Sequence, residues 1–137
     1  MITWKKDPFS REFHEFERMT VQYTPDKKEL RNNLSYLQAQ YNKARPVSLI
    51  DGDWRKLENT DSFETNTMEK VYEALKTNNE PRDVDRILRQ YVSGSVSCPI
   101  VMKFADNRLV LVAGNTRLMI ARVLKIKPKI ILVETDW

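Results

Sequence analysis

Three runs of apolar, mostly β-branched residues near the C-terminal end constrain the fold of this chain most. They read PIVMKF (99–104), LVLVA (109–113) and KIILVE (129–134). Only the four residues 105–108 separate the first two runs, which predicts an antiparallel hairpin. The third run is apolar almost throughout, as is typical of a strand in the middle of a sheet. The fold must therefore contain a sheet built on these three strands.

The segment between the second and third runs joins a glycine to a helical pattern. It opens with Gly114-Asn115-Thr116-Arg117, in a chain with only three glycines. A glycine lets a ligand approach the backbone closely, and the first amides of a helix have no acceptor within the helix. The helix dipole adds positive charge there, and the arginine fork matches phosphate oxygens. Two interpretations follow: a structural cap with Asn115 as capping residue, or an anion-binding site.

Helical patterns and short apolar runs alternate along the rest of the chain. We predict a short helix around Phe9–Phe16 with Ser10 as its cap, and a second helix over 25–43 that starts at Thr24-Pro25. A strand at 47–50 and a loop at 51–65 follow. A third helix begins at 68 and breaks at Asn78–Pro81, and a fourth runs from 84 to about 92 and is capped by Gly94. This order predicts an α+β fold, with an N-terminal helical extension over 1–45 and a mixed α/β domain over 46–137.

Composition excludes several classes of protein. One cysteine (Cys98) and one histidine (His14) exclude an internal disulfide framework and a Cys/His zinc site, and favour a cytoplasmic, reducing location. The sequence contains no run of 18 apolar residues, so no membrane span is expected. The N-terminal residues lack the apolar core of a signal peptide. A net charge of +4 fits either a phosphate-rich partner or ordinary solubility.

The segment 99–134 resembles the ParB/sulfiredoxin superfamily. In that superfamily a strand opening with P-I-V, a returning strand and a glycine–arginine–alanine motif precede a final buried strand. Here Arg117 and Ala121 stand three and seven residues after Gly114. The resemblance implies a small mixed sheet packed with helices. A looser match extends back through VSLI (47–50) and the helix at 83–92, whereas residues 1–45 have no counterpart.

The resemblance also implies a ligand. Superfamily members include CTP-using partition proteins, ATP-using sulfiredoxins, free-serine kinases and nucleases, and their glycine–arginine turn binds nucleotide phosphates. It implies that Gly114, Thr116 and Arg117, with Asn115 beside them, hold the phosphates of ATP or CTP. Two departures limit the chemistry. Asn115 stands where partition proteins carry an acidic residue. Sulfiredoxins carry their catalytic cysteine in the glycine–arginine turn, whereas Cys98 lies sixteen residues before Gly114.

Phosphoryl transfer usually needs Mg²⁺ held by carboxylates. The acidic stretch after the first strand of the 46–137 domain offers four candidate carboxylates: Asp51, Asp53, Glu58 and Asp61. We predict that Asp51 and Asp53 hold the metal and that a carboxylate among Asp51, Asp53 and Asp61 is catalytic. The alternative is a solvated loop with Asx-type turns. Ser93 and Ser95 line the opposite wall of the nucleotide site or simply end a helix.

Other features each allow two interpretations. Trp54 stacks on a base or anchors its loop. The basic residues Lys103, Arg108, Arg122, Lys125, Lys127 and Lys129 form a DNA surface with Trp137 or a solvated face. Cys98 is expected to pack at a strand start, and His14 to lie on the surface. The N-terminal helices cover the core or form a homo-oligomer contact.

The leading hypothesis is a nucleotide-binding enzyme, a phosphotransferase or nucleotide hydrolase using ATP or CTP with Mg²⁺. One alternative is a non-catalytic, DNA-associated binding module of the partition-protein type. The other is a metal-dependent nuclease. The size of the chain is typical of a small accessory protein of a bacterium or its phage, without a membrane partner.

Overall fold

The computed structural model of the chain describes residues 1–76 and 82–137. The α-helices in these ranges are α1 (Phe13–Tyr23), α2 (Leu30–Lys43), α3 (Asp51–Lys56), α4 (Met68–Lys76), α5 (Arg82–Ser93) and α6 (Asn115–Val123). The strands are β1 (Thr3–Lys5), β2 (Pro46–Ser48), β3 (Ser95–Ser97), β4 (Ile100–Lys103), β5 (Leu109–Ala113) and β6 (Lys129–Glu134). Short 3₁₀ helices, Phe9–Glu12 and Lys27–Glu29, lead into α1 and α2. The predicted helix break at Asn78–Pro81 lies outside the described residues.

The main sheet has the strand order β2-β6-β4-β5. The antiparallel hairpin of β4 and β5 and the central position of β6 are both as predicted. Strands β4 and β6 run parallel, and α6 makes the crossover between β5 and β6. A second sheet pairs β1 with β3 in parallel, with Trp4 opposite Val96. The sequence did not predict this second sheet.

Alternate residues of the main sheet face two separate core clusters. Val101, Leu111 and Ile130 face α3, α4, α5 and α6. Ile100 and Met102 face α1 and α2 on the other side. A strand such as β4 is therefore buried on both faces, which explains its continuous apolar sequence. The α+β class is confirmed.

The N-terminal helices cover one face of the main sheet. Phe16 and Leu37 are fully buried and Tyr41 is 2% exposed, in the same cluster as sheet residues. The Phe9 ring stacks on Phe16 with centroids 4.4 Å apart. Lys6 donates to the carbonyls of Tyr41 and Ala44 at the end of α2, both at 2.7 Å. Of the two roles considered for these helices, the structure shows core coverage.

Three local predictions were wrong. Ser10 makes no capping hydrogen bond; it lies within the Phe9–Glu12 3₁₀ helix, which has Pro8 at its N-cap. Thr24 does not cap the second helix either; its Oγ1 accepts from Asn33, and Asp26 caps the 3₁₀ turn instead. Residues 51–56 are helical rather than loop, because this short helix buries Trp54 against the core.

None of the helices in the described ranges is both long enough and apolar enough to span a membrane.

Candidate functional site

Gly114 forms the sharp junction between β5 and α6. It has φ 103° and ψ 22°, in the left-handed region, and is the N-cap of α6. A Cβ at this position would lie 2.7 Å from Pro99 Cβ and 2.8 Å from Pro99 Cα. Only glycine therefore suits both the backbone angle and the close approach of Pro99. The capping role predicted for Asn115 is wrong, because Asn115 is already the first helical residue.

A chain of side-chain hydrogen bonds attaches the loop after α3 to the first turn of α6. Trp54 Nε1 donates to Ser62 Oγ at 2.8 Å, and Ser62 Oγ lies 2.9 Å from Thr60 Oγ1. Thr60 Oγ1 donates in turn to Asn115 Oδ1. Trp54 is 3% exposed and Ser62 is fully buried. Trp54 is therefore an anchor and presents no free face to a base.

Arg117 points into the protein beneath the glycine turn. Its Nη1 donates to the carbonyls of Ser97 and Cys98, at 3.0 and 3.4 Å. Its Nη2 lies 3.6 Å from Glu12 Oε1, and Tyr91 donates its hydroxyl to the Arg117 carbonyl at 2.7 Å. Burial lowers the pKa of Arg117, and the Glu12 carboxylate opposes that shift. The guanidinium thus supplies a fixed positive charge under the turn.

A cleft of about 640 Å³ opens at this turn, between α1, α5, the end of β5 and the first turn of α6. Five charged side chains line it: Glu12, Glu15, Arg18, Arg86 and Arg117. Asn59, Asn115 and Thr116 add polar groups to the walls. Three arginines against two carboxylates leave one net positive charge in the cleft. The first amides of α6 lie in the same wall, so the cleft has the donors and the charge that an anion requires.

The two carboxylates enter the cleft from the N-terminal segment. Glu15 forms an ion pair with Arg18, and Glu12 pairs with Arg117. Burial raises the pKa of Glu12; Arg117 and, less strongly, Arg11 pull it down, while Glu15 and Asp7 add to the increase. The carboxylate of Glu12 therefore stands at a position where its charge is poorly solvated.

The predicted serines lie away from the cleft. Ser93 is exposed and donates to the carbonyl of Gln90 at 2.7 Å. Ser95 belongs to β3 and pairs with Thr3. Neither serine lines the cleft. Gly94, at φ 81°, ends α5 as predicted, so this stretch acts as a helix end.

The predicted metal and catalytic carboxylates are not brought together. Asp51 and Asp53 are residues i and i+2 of α3, so they point to different sides of the helix. Asp51 lies 3.7 Å from Arg122, at the far end of α6 from Gly114. Asp53 lines a separate cavity beside the β4–β5 hairpin, and Asp61 is exposed. They do not fit a shared Mg²⁺ site.

Within 1–76 and 82–137, no group of three or more His, Cys, Asp or Glu side chains is placed to hold a metal ion. Glu58, the other acidic candidate, is bound to Arg108 through two hydrogen bonds of 2.8 and 2.9 Å on the surface.

The C-terminal basic residues are divided among different surroundings. Arg108 is paired with Glu58, and the Arg122 guanidinium lies 4.1 Å from the centroid of the Phe63 ring. Cys98 is 4% exposed, and burial raises the pKa of its thiol to about 11. His14 is exposed, as expected. Cys98 is therefore a packed thiol with little thiolate character.

Sequence motifs did not predict the charged residues that the N-terminal segment and α5 bring to the cleft. Glu12, Glu15 and Arg18 are spaced i, i+3 and i+6, from the N-cap of α1 along one edge of its buried face. That polar stripe was a signal that could have marked one face of the helix as functional. Arg86 follows no comparable pattern.

Comparisons with models of protein families, with curated proteins and with solved structures find no match. The resemblance to the ParB/sulfiredoxin superfamily stays a prediction. What the fold and the site define is an α+β protein with a polar, arginine-lined cleft at a glycine-capped helix start.

Proposed function

We propose that this protein binds a nucleotide, with its phosphates in the cleft at Gly114–Arg117. The observation that carries the proposal is that three arginines and the first turn of α6 line one cleft of about 640 Å³. Cleft volumes of roughly 300–1,000 Å³ accommodate ligands of nucleotide size. Helix amides and arginines are the protein groups that bind phosphate best.

Each group in the cleft has a distinct part in this proposal. Gly114 leaves the backbone open to close approach, and the amides at Asn115 and Thr116 face the anion. Arg18, whose side chain is 68% exposed, closes over the phosphates from α1. Arg117 acts from beneath, because its Nη1 is already engaged by backbone carbonyls. It offers the phosphate a single contact through Nη2 rather than a bidentate one.

The proposal extends to binding and not to a metal-dependent reaction. Asp51 and Asp53, the carboxylates predicted to hold Mg²⁺, do not line the cleft, so they are not placed to act on a phosphate bound there. Phosphotransferase or hydrolase activity, and binding to DNA, remain predictions from the sequence.

Thr116→Asp tests the site without removing a buried group. Thr116 is the second residue of α6, a position at which the helix dipole stabilises an acidic side chain. The new carboxylate faces the cleft and repels a bound phosphate. We expect calorimetry with ATP, CTP and GTP to show binding to the native chain and at least about tenfold weaker binding to the variant.

The matched control is Thr67→Asp, at the start of α4. Thr67 Oγ1 accepts from the amide of Lys70 at 3.2 Å, and aspartate preserves that cap. This variant has the same change in charge away from the cleft and should bind as the native chain does. Absence of nucleotide binding by the native chain at millimolar concentration, or equal affinities of both variants, contradicts the proposal. A steep salt dependence of DNA binding without nucleotide binding would favour the DNA-associated alternative.

A further inference from the structure

The cleft contains a carboxylate of the protein itself, that of Glu12, beside the buried Arg117. We propose that Glu12 is the internal counter-anion of Arg117, which a ligand phosphate must displace, and that it thereby sets the affinity and charge preference of the cleft. This inference rests on the proposed function of the same cleft. It adds a role for the N-terminal segment that the glycine turn alone does not indicate.

Glu12 forms a weak, replaceable contact with Arg117. The 3.6 Å between Glu12 Oε1 and Arg117 Nη2 exceeds the roughly 2.7–2.9 Å of a strong charge-assisted hydrogen bond. The Glu12 side chain is 28% exposed, so solvent and ligand have access to it. A phosphate oxygen reaching Arg117 Nη2 would form the shorter bond that Glu12 does not make.

Arg117 does not depend on Glu12 for its position. Its Nη1 is held by the carbonyls of Ser97 and Cys98, whichever anion is near Nη2. Phe9 opens the 3₁₀ helix that ends at Glu12; it is 7% exposed and stacks on Phe16, which fixes the segment carrying Glu12. The backbone of this segment can stay in place while the Glu12 side chain rotates towards solvent.

The same arrangement recurs at the mouth of the cleft, where Glu15 pairs with Arg18. The N-terminal segment thus supplies a carboxylate to two of the arginines that line the cleft. A ligand that replaces both carboxylates must present a negative group to each of the two arginines, so a ligand with several charged phosphate groups is favoured over a singly charged anion such as a carboxylate. This preference defines the ligand class as a di- or triphosphate.

The test measures pyrophosphate binding to the full chain by calorimetry at pH 7.5 and low salt. The variants are Glu12→Gln and, as matched control, Glu17→Gln. Glu17 is exposed on α1, which follows directly after Glu12, and does not line the cleft. We expect Glu12→Gln to bind pyrophosphate about tenfold more tightly than the native chain, because a like charge close to the ligand is removed. Glu17→Gln should change the affinity less than about twofold.

The outcomes separate this inference from the proposed function. Pyrophosphate binding by the native chain with no greater gain for Glu12→Gln than for Glu17→Gln overturns the role of Glu12 and leaves the nucleotide site standing. No binding by the native chain or either variant overturns both. Glu12→Ala must show the same direction as Glu12→Gln, and a urea midpoint near that of the native chain shows that each variant is folded.

Discussion

Gly114→Ala is the substitution for which the structure gives the clearest magnitude. An alanine at φ 103° incurs about 1–2 kcal/mol of left-handed strain. Its Cβ would lie 2.8 Å from Pro99 Cα, which is backbone and cannot rotate away. The Pro99 carbonyl also accepts from the amide of Ile131 at 2.8 Å, which ties it to β6. Overpacking of this kind costs about 1–3 kcal/mol, so we expect a total loss of about 2–5 kcal/mol.

The two other glycines of the chain are internal controls. Gly94 also has a positive φ, 81°, but its nearest neighbour to a new Cβ is the Met1 carbonyl oxygen at 3.6 Å. Gly94→Ala should therefore lose only the strain of about 1–2 kcal/mol. Gly52 lies in α3 with nothing within 4 Å of a new Cβ. Gly52→Ala should gain up to about 1 kcal/mol from helix propensity.

Urea unfolding followed by far-ultraviolet circular dichroism measures all three variants. A small protein has an m-value of roughly 1–3 kcal/mol/M, so a loss of about 2–5 kcal/mol for Gly114→Ala shifts the midpoint by at least about 0.7 M. The expected order of stability is Gly52→Ala, native, Gly94→Ala, Gly114→Ala. If Gly114→Ala is no less stable than Gly94→Ala, the contact with Pro99 does not constrain the turn and the reasoning is refuted.

Two further predictions concern titratable groups. The Cys98 thiol, buried and with its pKa raised to about 11, should react with Ellman's reagent at pH 8 at least about a hundredfold more slowly in the native protein than in urea; rapid reaction of the folded chain would contradict this. The Arg108 hydrogen bonds lower the pKa of Glu58 in the folded state, so its contribution to stability is present above the unfolded pKa and is lost as pH falls through the folded pKa. Glu58→Gln should therefore be slightly less stable than the native chain near neutral pH and equal to it in acid, and a constant difference in urea midpoint from pH 7 to pH 3 would argue against this pair.

The sequence predicted those elements whose signal is local. The hairpin followed from two apolar runs separated by four residues, and the central place of β6 from its continuous apolar run. The glycine turn was also predictable, since strand, glycine and helix follow one another directly. In each case the decisive residues lie within a few positions of one another.

Features that depend on distant partners were not predictable. Strands β1 and β3 have three residues each, TWK and SVS. Segments this short show no recognisable alternation in the sequence, and they are strands because they pair with each other. Helix α3 forms in a polar stretch because Trp54 is buried against α6 and the loop at Ser62. Asp51 and Asp53, predicted as metal ligands, lie in this helix rather than in an extended loop, so their side chains point to different sides of it.

The candidate site shows the same division between local and distant signals. Gly114 and Arg117 were found from the motif, but the motif did not show that Arg117 turns inward to the carbonyls of Ser97 and Cys98. Glu12 is 105 residues from Arg117 in sequence, and only packing of the N-terminal segment on the sheet brings the two together. Short motifs therefore located the cleft, whereas its charge balance required the tertiary structure.

The N-terminal segment joins the fold to the proposed function. Phe16, Leu37 and Tyr41 are buried in one cluster with Ile100 and Met102, so α1 and α2 form one layer over the main sheet. The same segment carries Glu12, Glu15 and Arg18 into the cleft. Removing it would expose a face of the main sheet and one wall of the cleft together. Under the proposed function, phosphate bound between both walls would stabilise that layer, because a ligand that binds only the folded chain raises its stability.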